Sequence, residues 1–211
     1  MAASSAAVRN SAFDHIQKFR EPNSERWSRR ILPGEYYVTN DDESLTTVLG
    51  SCISACVRDP QAGVGGMNHF MLPEEGGNCG DRWLDPASGL ATRYGSYAME
   101  SRINDLMKRG ARRERLEIKL FGGGKILASA TDVGRRNIEF IRDYLRLEGL
   151  RSVAEDLGDV HPRKIEYSPR TGKVRVKRLK PLEAQGLADS EKSYQKQIGT
   201  QAQGGDVELF D

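Results

Sequence analysis

A predicted β-hairpin between residues 52 and 72 constrains the fold of this chain more than any other stretch. Every second residue from Ile53 to Val57 is apolar, the pattern of a strand with one buried face. Asp59–Gly63 has the composition of a turn, and a second apolar run extends from Val64 to Leu72. A turn this short joins antiparallel strands, so part of the core is expected to be antiparallel sheet.

Periodicity and turn residues predict the other elements of the core. Strands are expected at Glu35–Thr39, Leu45–Leu49, Leu116–Leu120, Ile165–Tyr167 and Val174–Val176, and helices between Tyr94 and Gly110 and from a Thr131/Asp132 cap to Gly149. Strands outnumber helices, and several are joined by short turns. This favours an α/β (α+β) layered fold with mainly antiparallel sheets over a doubly wound one.

The two ends of the chain differ in composition from its middle. Residues 1–30 are rich in Ser and Ala and then in charged residues, which predicts a mobile N-terminal arm. Residues 181–211 are polar and rich in glutamine, which predicts a disordered C-terminal tail. A single folded domain is therefore expected at residues 31–180.

Charge and cysteine content narrow the functional classes. The chain has 32 basic and 30 acidic residues, a balance that does not favour nucleic acid as a partner. Its three cysteines lack CxxC spacing, and no signal peptide or long apolar run accompanies them. We therefore expect free thiols, no membrane insertion and a cytoplasmic location.

Cys52 and His69 lie on opposite arms of the hairpin. In the two registers that pair Arg58 with residue 63 or 64, Cys52 lies opposite residue 69 or 70. The first register opposes Cys52 and His69 directly, whereas the second turns His69 to the other face unless a bulge at residues 65–66 corrects it. Opposed residues on one face have Cβ atoms about 4.5–5.5 Å apart, close enough for a thiol and an imidazole to interact. The imidazole can take the thiol proton, and the thiolate is a nucleophile for acyl transfer.

Neighbouring residues could support such a pair. The amides of Gly50 and Ser51 could bind a developing oxyanion, and Asn68 is a further candidate for positioning it. A hydroxyl of the Thr46–Thr47 pair could accept a hydrogen bond from the second ring nitrogen of the histidine. The same residues also fit a plain structural role, because free cysteines and lone histidines are often buried core residues. Spacing alone does not decide between these alternatives.

Two other motifs carry weaker functional signals. The glycines of Phe121–Lys125 lack the GxxxxGK[ST] spacing of a phosphate-binding loop, so we interpret them as a close-packed turn. Cys52, Cys56 and His69 could be proposed as a metal site, but they lack the usual paired spacing of ligands. Cys79 lies in a predicted loop, where a surface thiol is expected. We expect neither a metal nor a cofactor.

The motif TTVLGSC (46–52) followed by GGMNHFMLP (65–73) closely resembles the chemoreceptor glutamine deamidases of the CheD family. The similarity continues in the order of the family through RYGSYAMESRINDLMKRGA (93–111), LEIKLFGGGKI (116–126), VGRRNIEF (133–140) and RKIEYSPRTGKVRVK (163–177). It spans about residues 34 to 180. Coverage of this extent is more specific than any single motif.

This resemblance implies a fold, a reaction and partners. The family fold is a layered α/β/β sandwich with its helices on the outside, and the family reaction deamidates selected glutamines of methyl-accepting chemotaxis receptors, on their cytoplasmic helices, to glutamate. Carried over by position, Cys52 is the nucleophile, His69 the general base and Thr46 the residue that orients the imidazole. No cofactor or metal is implied. Some members also bind a CheC-type phosphatase or hydrolyse receptor methyl esters.

Other functions stay open from the sequence. A thiol protease or a transglutaminase would use the same nucleophile and base. A chemotaxis adaptor that binds a receptor or a phosphatase without catalysis is the alternative outside the enzymes. Peptide cleavage, incorporation of amines, or binding that does not depend on Cys52 would distinguish them.

Overall fold

The computed structural model describes residues 13–20, 26–73, 90–126, 132–180 and 186–201. Its strands are β1 (Lys18–Arg20), β2 (Trp27–Arg30), β3 (Tyr36–Thr39), β4 (Ser44–Leu49), β5 (Ile53–Asp59), β6 (Val64–Asn68), β7 (Glu117–Gly122), β8 (Ser152–Leu157), β9 (Arg163–Tyr167) and β10 (Val174–Arg178). Its helices are α1 (Leu90–Lys108), α2 (Val133–Leu147) and α3 (Leu187–Gln201), with a short 3-10 helix at Arg113–Arg115. The predicted α+β class is confirmed.

The strands form two mixed sheets of five strands each. One has the order β1-β2-β4-β9-β10 and the other β3-β6-β5-β7-β8. Two neighbouring pairs, β2–β4 and β7–β8, are parallel and the other pairs are antiparallel, as the short turns predicted. Helix α1 packs on β3 and β6, and α2 packs on α1 and β5. Buried side chains of both sheets and of these helices form one hydrophobic core.

Strands β5 and β6 form the predicted hairpin. A 3.1 Å hydrogen bond from the Gly63 amide to the Asp59 carbonyl closes its turn, and the φ of Gly63 is +64°, which glycine adopts at little cost. Asp59 pairs with Val64, so the predicted register is wrong by one or two residues. The physical reason is the Asp59 carboxylate, which accepts hydrogen bonds from two loop amides and so fixes where the strand ends.

Helix α2 begins and ends as its sequence predicts. The Asp132 carboxylate accepts a 3.0 Å hydrogen bond from the Arg135 amide, which satisfies one of the amides left unpaired at a helix start. At the other end Gly149 has a φ of +63°, and the Leu150 amide donates to the Leu145 carbonyl over 2.8 Å. These bonds fix the length of α2.

Both terminal segments contain structure that the sequence did not predict. Strands β1 and β2 lie within the predicted mobile arm, and Phe13 is buried with its ring edge-on to Tyr36 and Tyr37. Helix α3 lies within the predicted disordered tail, and its Ile198 is buried. The prediction of disorder is wrong for these parts because apolar anchors spaced along polar segments are enough to hold them on the core. Residues 1–12, 21–25, 181–185 and 202–211, and the predicted loop with Cys79, lie outside the described residues.

Among the described helices, none combines the length and the apolar character required to cross a bilayer.

Candidate active site

The turn after β4 carries Cys52, and the residue directly after β6 is His69. Extended past the strands, the observed register places Cys52 across from Met71, and His69 lies two residues before Met71 on the same face. Helix α3 adds Glu191. The sulfur of Cys52, a ring nitrogen of His69 and a carboxylate oxygen of Glu191 lie within 4.8 Å of one another, and all three residues are buried. The structure therefore brings the predicted thiol and imidazole together and adds a carboxylate.

The hydrogen bonds of His69 define which of its nitrogens faces the thiol. Nδ1 lies 2.8 Å from Oγ1 of Thr47, and that hydroxyl donates its own proton to the Ile31 carbonyl over 2.7 Å. A hydroxyl has one proton to donate, so Oγ1 accepts the bond from Nδ1–H and the proton of a neutral imidazole is on Nδ1. Nε2 has no hydrogen-bond partner among the described residues. It is therefore the nitrogen that can accept the thiol proton.

The hydroxyl that holds His69 belongs to Thr47 and not to the predicted Thr46. The two residues are consecutive on β4, and consecutive side chains of a strand point to opposite faces. Thr46 Oγ1 donates to the Ile165 carbonyl of the neighbouring strand β9 over 2.9 Å. The assignment of Thr46 as the orienting residue is thus wrong, whereas the predicted interaction, hydroxyl to second ring nitrogen, is present one residue later.

The amides of Gly50 and Ser51 bind the Glu191 carboxylate. Gly50 N–H donates to one oxygen over 2.9 Å, and Ser51 N–H donates to the other over 2.9 Å. The Ser51 hydroxyl donates to this second oxygen as well. These two amides were the predicted oxyanion-binding groups, and in the structure they hold an anion beside Cys52. A Cβ at Gly50 would lie 2.0 Å from Ile126 Cδ1 and 2.9 Å from the Glu191 oxygen, so the turn leaves no space for a side chain there.

The glycine-rich loop at the end of β7 donates two hydrogen bonds to the turn that carries Cys52. Gly123 N–H donates to the Cys52 carbonyl over 2.8 Å, and Gly124 N–H donates to the Gly50 carbonyl over 2.7 Å. A Cβ at Gly122 would lie 2.0 Å from the Cys52 carbonyl oxygen, closer than atoms can approach. The interpretation of these glycines as a close-packed turn is confirmed.

Asn68 does not have the oxyanion role that the sequence suggested, and Asn137, which the sequence analysis did not single out, contacts the turn of Cys52. The Asn68 amide accepts from Ala55 N–H over 2.9 Å and donates to the Ala98 carbonyl of α1 over 3.2 Å, so it joins β5 to α1 and is not directed at the oxyanion. Asn137 of α2 donates to the Ser51 carbonyl over 2.9 Å and accepts from Leu72 N–H over 3.0 Å. Sequence reasoning missed Asn137, although it lies in the family-like segment 133–140.

Burial and charge keep the thiol and the imidazole neutral in this structure. Burial raises the pKa of Cys52 well above its ordinary value, and the negative charge of Glu191 and a hydrogen bond to it raise it further. Burial lowers the pKa of His69 to about 4, against a smaller opposing effect of the Ile31 carbonyl. With Glu191 in place, the thiolate–imidazolium pair is disfavoured.

Cys52, His69 and Glu191 are also the one group of possible metal ligands found among the described residues. The two oxygens of the Glu191 carboxylate accept three hydrogen bonds from Gly50 and Ser51. Cys56, which the sequence suggested as a partner, is not in this group; it is buried in β5, and burial raises its pKa to about 12. Cys52 and Cys56 are both free thiols.

The geometry can be compared with known proteins. The family model described as CheD chemotactic sensory transduction matches residues 71–178. A protein of Hydrogenovibrio crunogenus is 54% identical over 92% of this chain and 100% of its own, and one of Halorhodospira halophila is 50% identical over 94% of this chain and 91% of its own. Each is named a probable chemoreceptor glutamine deamidase CheD.

A third relative, from Herminiimonas arsenicoxydans, has the same name and is 52% identical over 88% of this chain and 90% of its own. The solved structure of Neisseria meningitidis protein NMB0706 covers 59% of this chain and 53% of its own at 12% identity, with a TM-score of 0.35, a likeness too low to bear on function. The extent of the match to the family model and to the full-length relatives shows that this chain belongs to the CheD family.

Proposed function

We propose that this protein hydrolyses the side-chain amide of specific glutamines in methyl-accepting chemotaxis receptors, which gives glutamate and ammonia. The observation that carries the proposal is the buried thiol of Cys52 near an imidazole whose Nε2 is unpartnered among the described residues. The two adjacent amides of Gly50 and Ser51 bind a carboxylate, the group that deamidation produces. The names of the relatives agree with this activity.

In the first half of the reaction, Nε2 of His69 takes the thiol proton and the Cys52 sulfur attacks the amide carbon of the substrate. We assign the binding of the oxyanion that forms to the Gly50 and Ser51 amides, and their bonds to the two oxygens of the Glu191 carboxylate support this assignment. His69 then gives its proton to the departing nitrogen, and ammonia leaves. The product of this half is a thioester between Cys52 and the substrate side chain.

In the second half, water replaces ammonia beside His69. Nε2 takes a proton from the water, the resulting hydroxide attacks the thioester carbon, and the oxyanion is bound by the same two amides. Collapse of this intermediate breaks the bond to sulfur, releases the glutamate side chain and returns the proton to Cys52. Thr47 acts throughout through its bond to Nδ1–H, which keeps Nε2 directed at the reacting atoms.

The partners, which rest on the family resemblance, and the location are further parts of the proposal. The substrate glutamines are on cytoplasmic helices of the receptors. Thiols are kept reduced in the cytoplasm, so the free thiol of Cys52 supports that compartment as the location. Binding of a CheC-type phosphatase stays a prediction from the family resemblance.

The test is mass spectrometry of receptor cytoplasmic fragments incubated with wild-type protein, Cys52→Ala and His69→Ala. Each deamidation adds about 1 Da at a glutamine, and we expect this gain with the wild type and its loss in both variants. If folded wild-type protein binds the fragments and leaves their mass unchanged, the protein is an adaptor and the proposal is wrong.

A further inference from the structure

Helix α3 presents to the candidate active site the side chain that the proposed reaction would produce. Glu191 is a glutamate on a helix, fully buried, and its carboxylate is bound by the two amides of the Gly50–Ser51 turn. The same carboxylate lies within 4.8 Å of the Cys52 sulfur and of a His69 ring nitrogen. The carboxylate of Glu191 is therefore held beside the thiol and the imidazole, where the side-chain amide of a substrate must lie to react.

The donors to this carboxylate are neutral. Burying a carboxylate is costly unless hydrogen bonds or a counter-charge replace its hydration. Here two backbone amides and the Ser51 hydroxyl converge on Glu191. Gly50 N–H binds one oxygen of the carboxylate, and the N–H and hydroxyl of Ser51 bind the other. Fixed N–H donors beside a nucleophile are groups that can stabilise an oxyanion, so the carboxylate occupies a site whose donors suit the reaction.

The residues of α3 that follow Glu191 contact the rest of the protein along the same face of the helix. Tyr194, Gln195 and Ile198 follow Glu191 at the i+3, i+4 and i+7 positions, which lie on one side of a helix. Gln195 and Ile198 are buried, and the hydroxyls of Tyr194 and Tyr94 of α1 form a hydrogen bond. Tyr194 also lies against Gly34, where a Cβ would approach its hydroxyl to 2.7 Å. The surface around Cys52 thus accepts one face of a helix.

We propose that α3 occupies the substrate groove of this protein, the surface formed by the Gly50–Ser51 turn, Cys52, His69 and Tyr94. Glu191 is then an internal product, and a glutamine placed at position 191 is a substrate of Cys52 within the same chain. This inference rests on the proposed function. A receptor helix enters the same groove and takes the place of α3, with its target glutamine at the position of Glu191. Occupation by α3 therefore competes with the receptor.

The self-reaction balances without any added reagent except water. In a Glu191→Gln variant, the Cys52 sulfur bonds to the side-chain carbonyl carbon of residue 191 and the carbon–nitrogen bond breaks. The thiol proton leaves with the amide nitrogen as part of ammonia. Water then cleaves the thioester, which restores the thiol and leaves glutamate at position 191.

The experiment is peptide mapping by mass spectrometry of the full-length Glu191→Gln variant, alone and combined with Cys52→Ala. We expect residue 191 to be found as glutamate in the single variant, about 1 Da heavier than the glutamine retained in the double variant. A peptide linked to Cys52 as a thioester, about 17 Da lighter, would also support the proposal. Gln197 is exposed on the same helix and serves as the internal control, since it should stay glutamine in both variants.

Receptor fragments in the same samples separate the two proposals. If the wild type deamidates the fragments and residue 191 stays glutamine in the Glu191→Gln variant, the internal-product proposal is overturned and the proposed function stands. If folded protein deamidates neither the fragments nor residue 191, the proposed function is wrong, and the internal-product proposal that rests on it is wrong as well. Conversion of residue 191 in the Cys52→Ala double variant at the same rate would show spontaneous deamidation and overturn the proposal as well.

Discussion

Thr47 fixes the orientation of His69 through a 2.8 Å contact between Oγ1 and Nδ1. The same hydroxyl donates to the Ile31 carbonyl, so it can only accept from the imidazole. His69 follows β6 in one sheet, whereas Thr47 lies in β4 of the other. The candidate base therefore depends on the relative placement of the two sheets.

Substitution of Thr47 should lower activity far more than substitution of its neighbour Thr46. Thr47→Val removes the acceptor for Nδ1–H, and we expect kcat to fall by about 10–100-fold, the range for partners that orient a metal-binding histidine. Thr46→Val is the matched control, because it also removes a buried hydroxyl and its hydrogen bond but does not touch His69. Thr47→Ser should recover much of the activity. Equal losses in the two Val variants, measured by receptor deamidation, would contradict the role of Thr47.

Burial of His69 should make the protein less stable as pH falls from neutral. Its folded pKa is about 4, below the ordinary value of 6.5, so the unfolded chain binds this proton more readily. The contribution is present above about pH 6.5 and is lost as pH falls towards 4, and it amounts to roughly 3 kcal/mol. Urea unfolding of the wild type and of His69→Gln at pH 7 and pH 5 measures how much unfolding free energy each protein loses between the two pH values.

The control for this measurement is His161→Gln, at an exposed histidine. We expect this variant to lose stability between pH 7 and pH 5 as the wild type does, and His69→Gln to lose less. If all three proteins show the same decrease in unfolding free energy, the proton of His69 does not contribute to it.

Local periodicity and turn residues were sufficient to predict several strands and helices from the sequence. Alternating apolar residues marked β5, and the turn and cap residues marked the hairpin and the start of α2. The register could not be predicted, because it depends on whether Asp59 or Arg58 makes the last pair before the loop. That choice depends on the carboxylate bonds of Asp59 to loop amides, a detail of three-dimensional geometry.

Thr47 and helix α3 are the parts of the site that the sequence did not predict, and both depend on which faces are buried in three dimensions. Thr46 and Thr47 have the same side chain and point to opposite faces of β4. Only the pairing of β4 with its neighbours decides which of the two faces His69. In α3, the buried face includes Glu191 and Gln195, which conceal its amphipathic pattern. Tyr194 and Ile198 are four residues apart, a helical spacing, and were the available signal. Buried polar residues at a functional site are where patterns of hydrophobicity fail.

Loss of the Asn137 amide should destabilise the turn that carries Cys52. Asn137→Ala would leave the Ser51 carbonyl and the Leu72 amide without this partner, and we expect a decrease of about 2–4 kcal/mol in unfolding free energy. Asn104→Ala is the control, because Asn104 is exposed on α1. Urea denaturation followed by circular dichroism measures both. A change in Asn137→Ala no larger than in the control would show that the turn does not depend on this residue.

Weakening the attachment of α3 should make Cys52 more reactive. Ile198 is buried at the end of the docked face of α3, so Ile198→Asp would place a carboxylate in an apolar environment. The cost should be relieved by detachment of α3 and not by unfolding of the core, because a terminal helix can open locally. Burial raises the pKa of Cys52, and the charge of Glu191 raises it further; detachment should expose the thiol and remove that charge.

We therefore expect Ile198→Asp to increase the rate of Cys52 alkylation by iodoacetamide and the rate of receptor deamidation, each several-fold. Gln197→Asp adds the same charge at the adjacent, exposed position and should leave both rates near those of the wild type. Mass mapping of Cys52 and circular dichroism of each variant distinguish opening of α3 from global unfolding. If Ile198→Asp stays folded and its thiol reacts no faster than that of Gln197→Asp, α3 does not restrict access to Cys52.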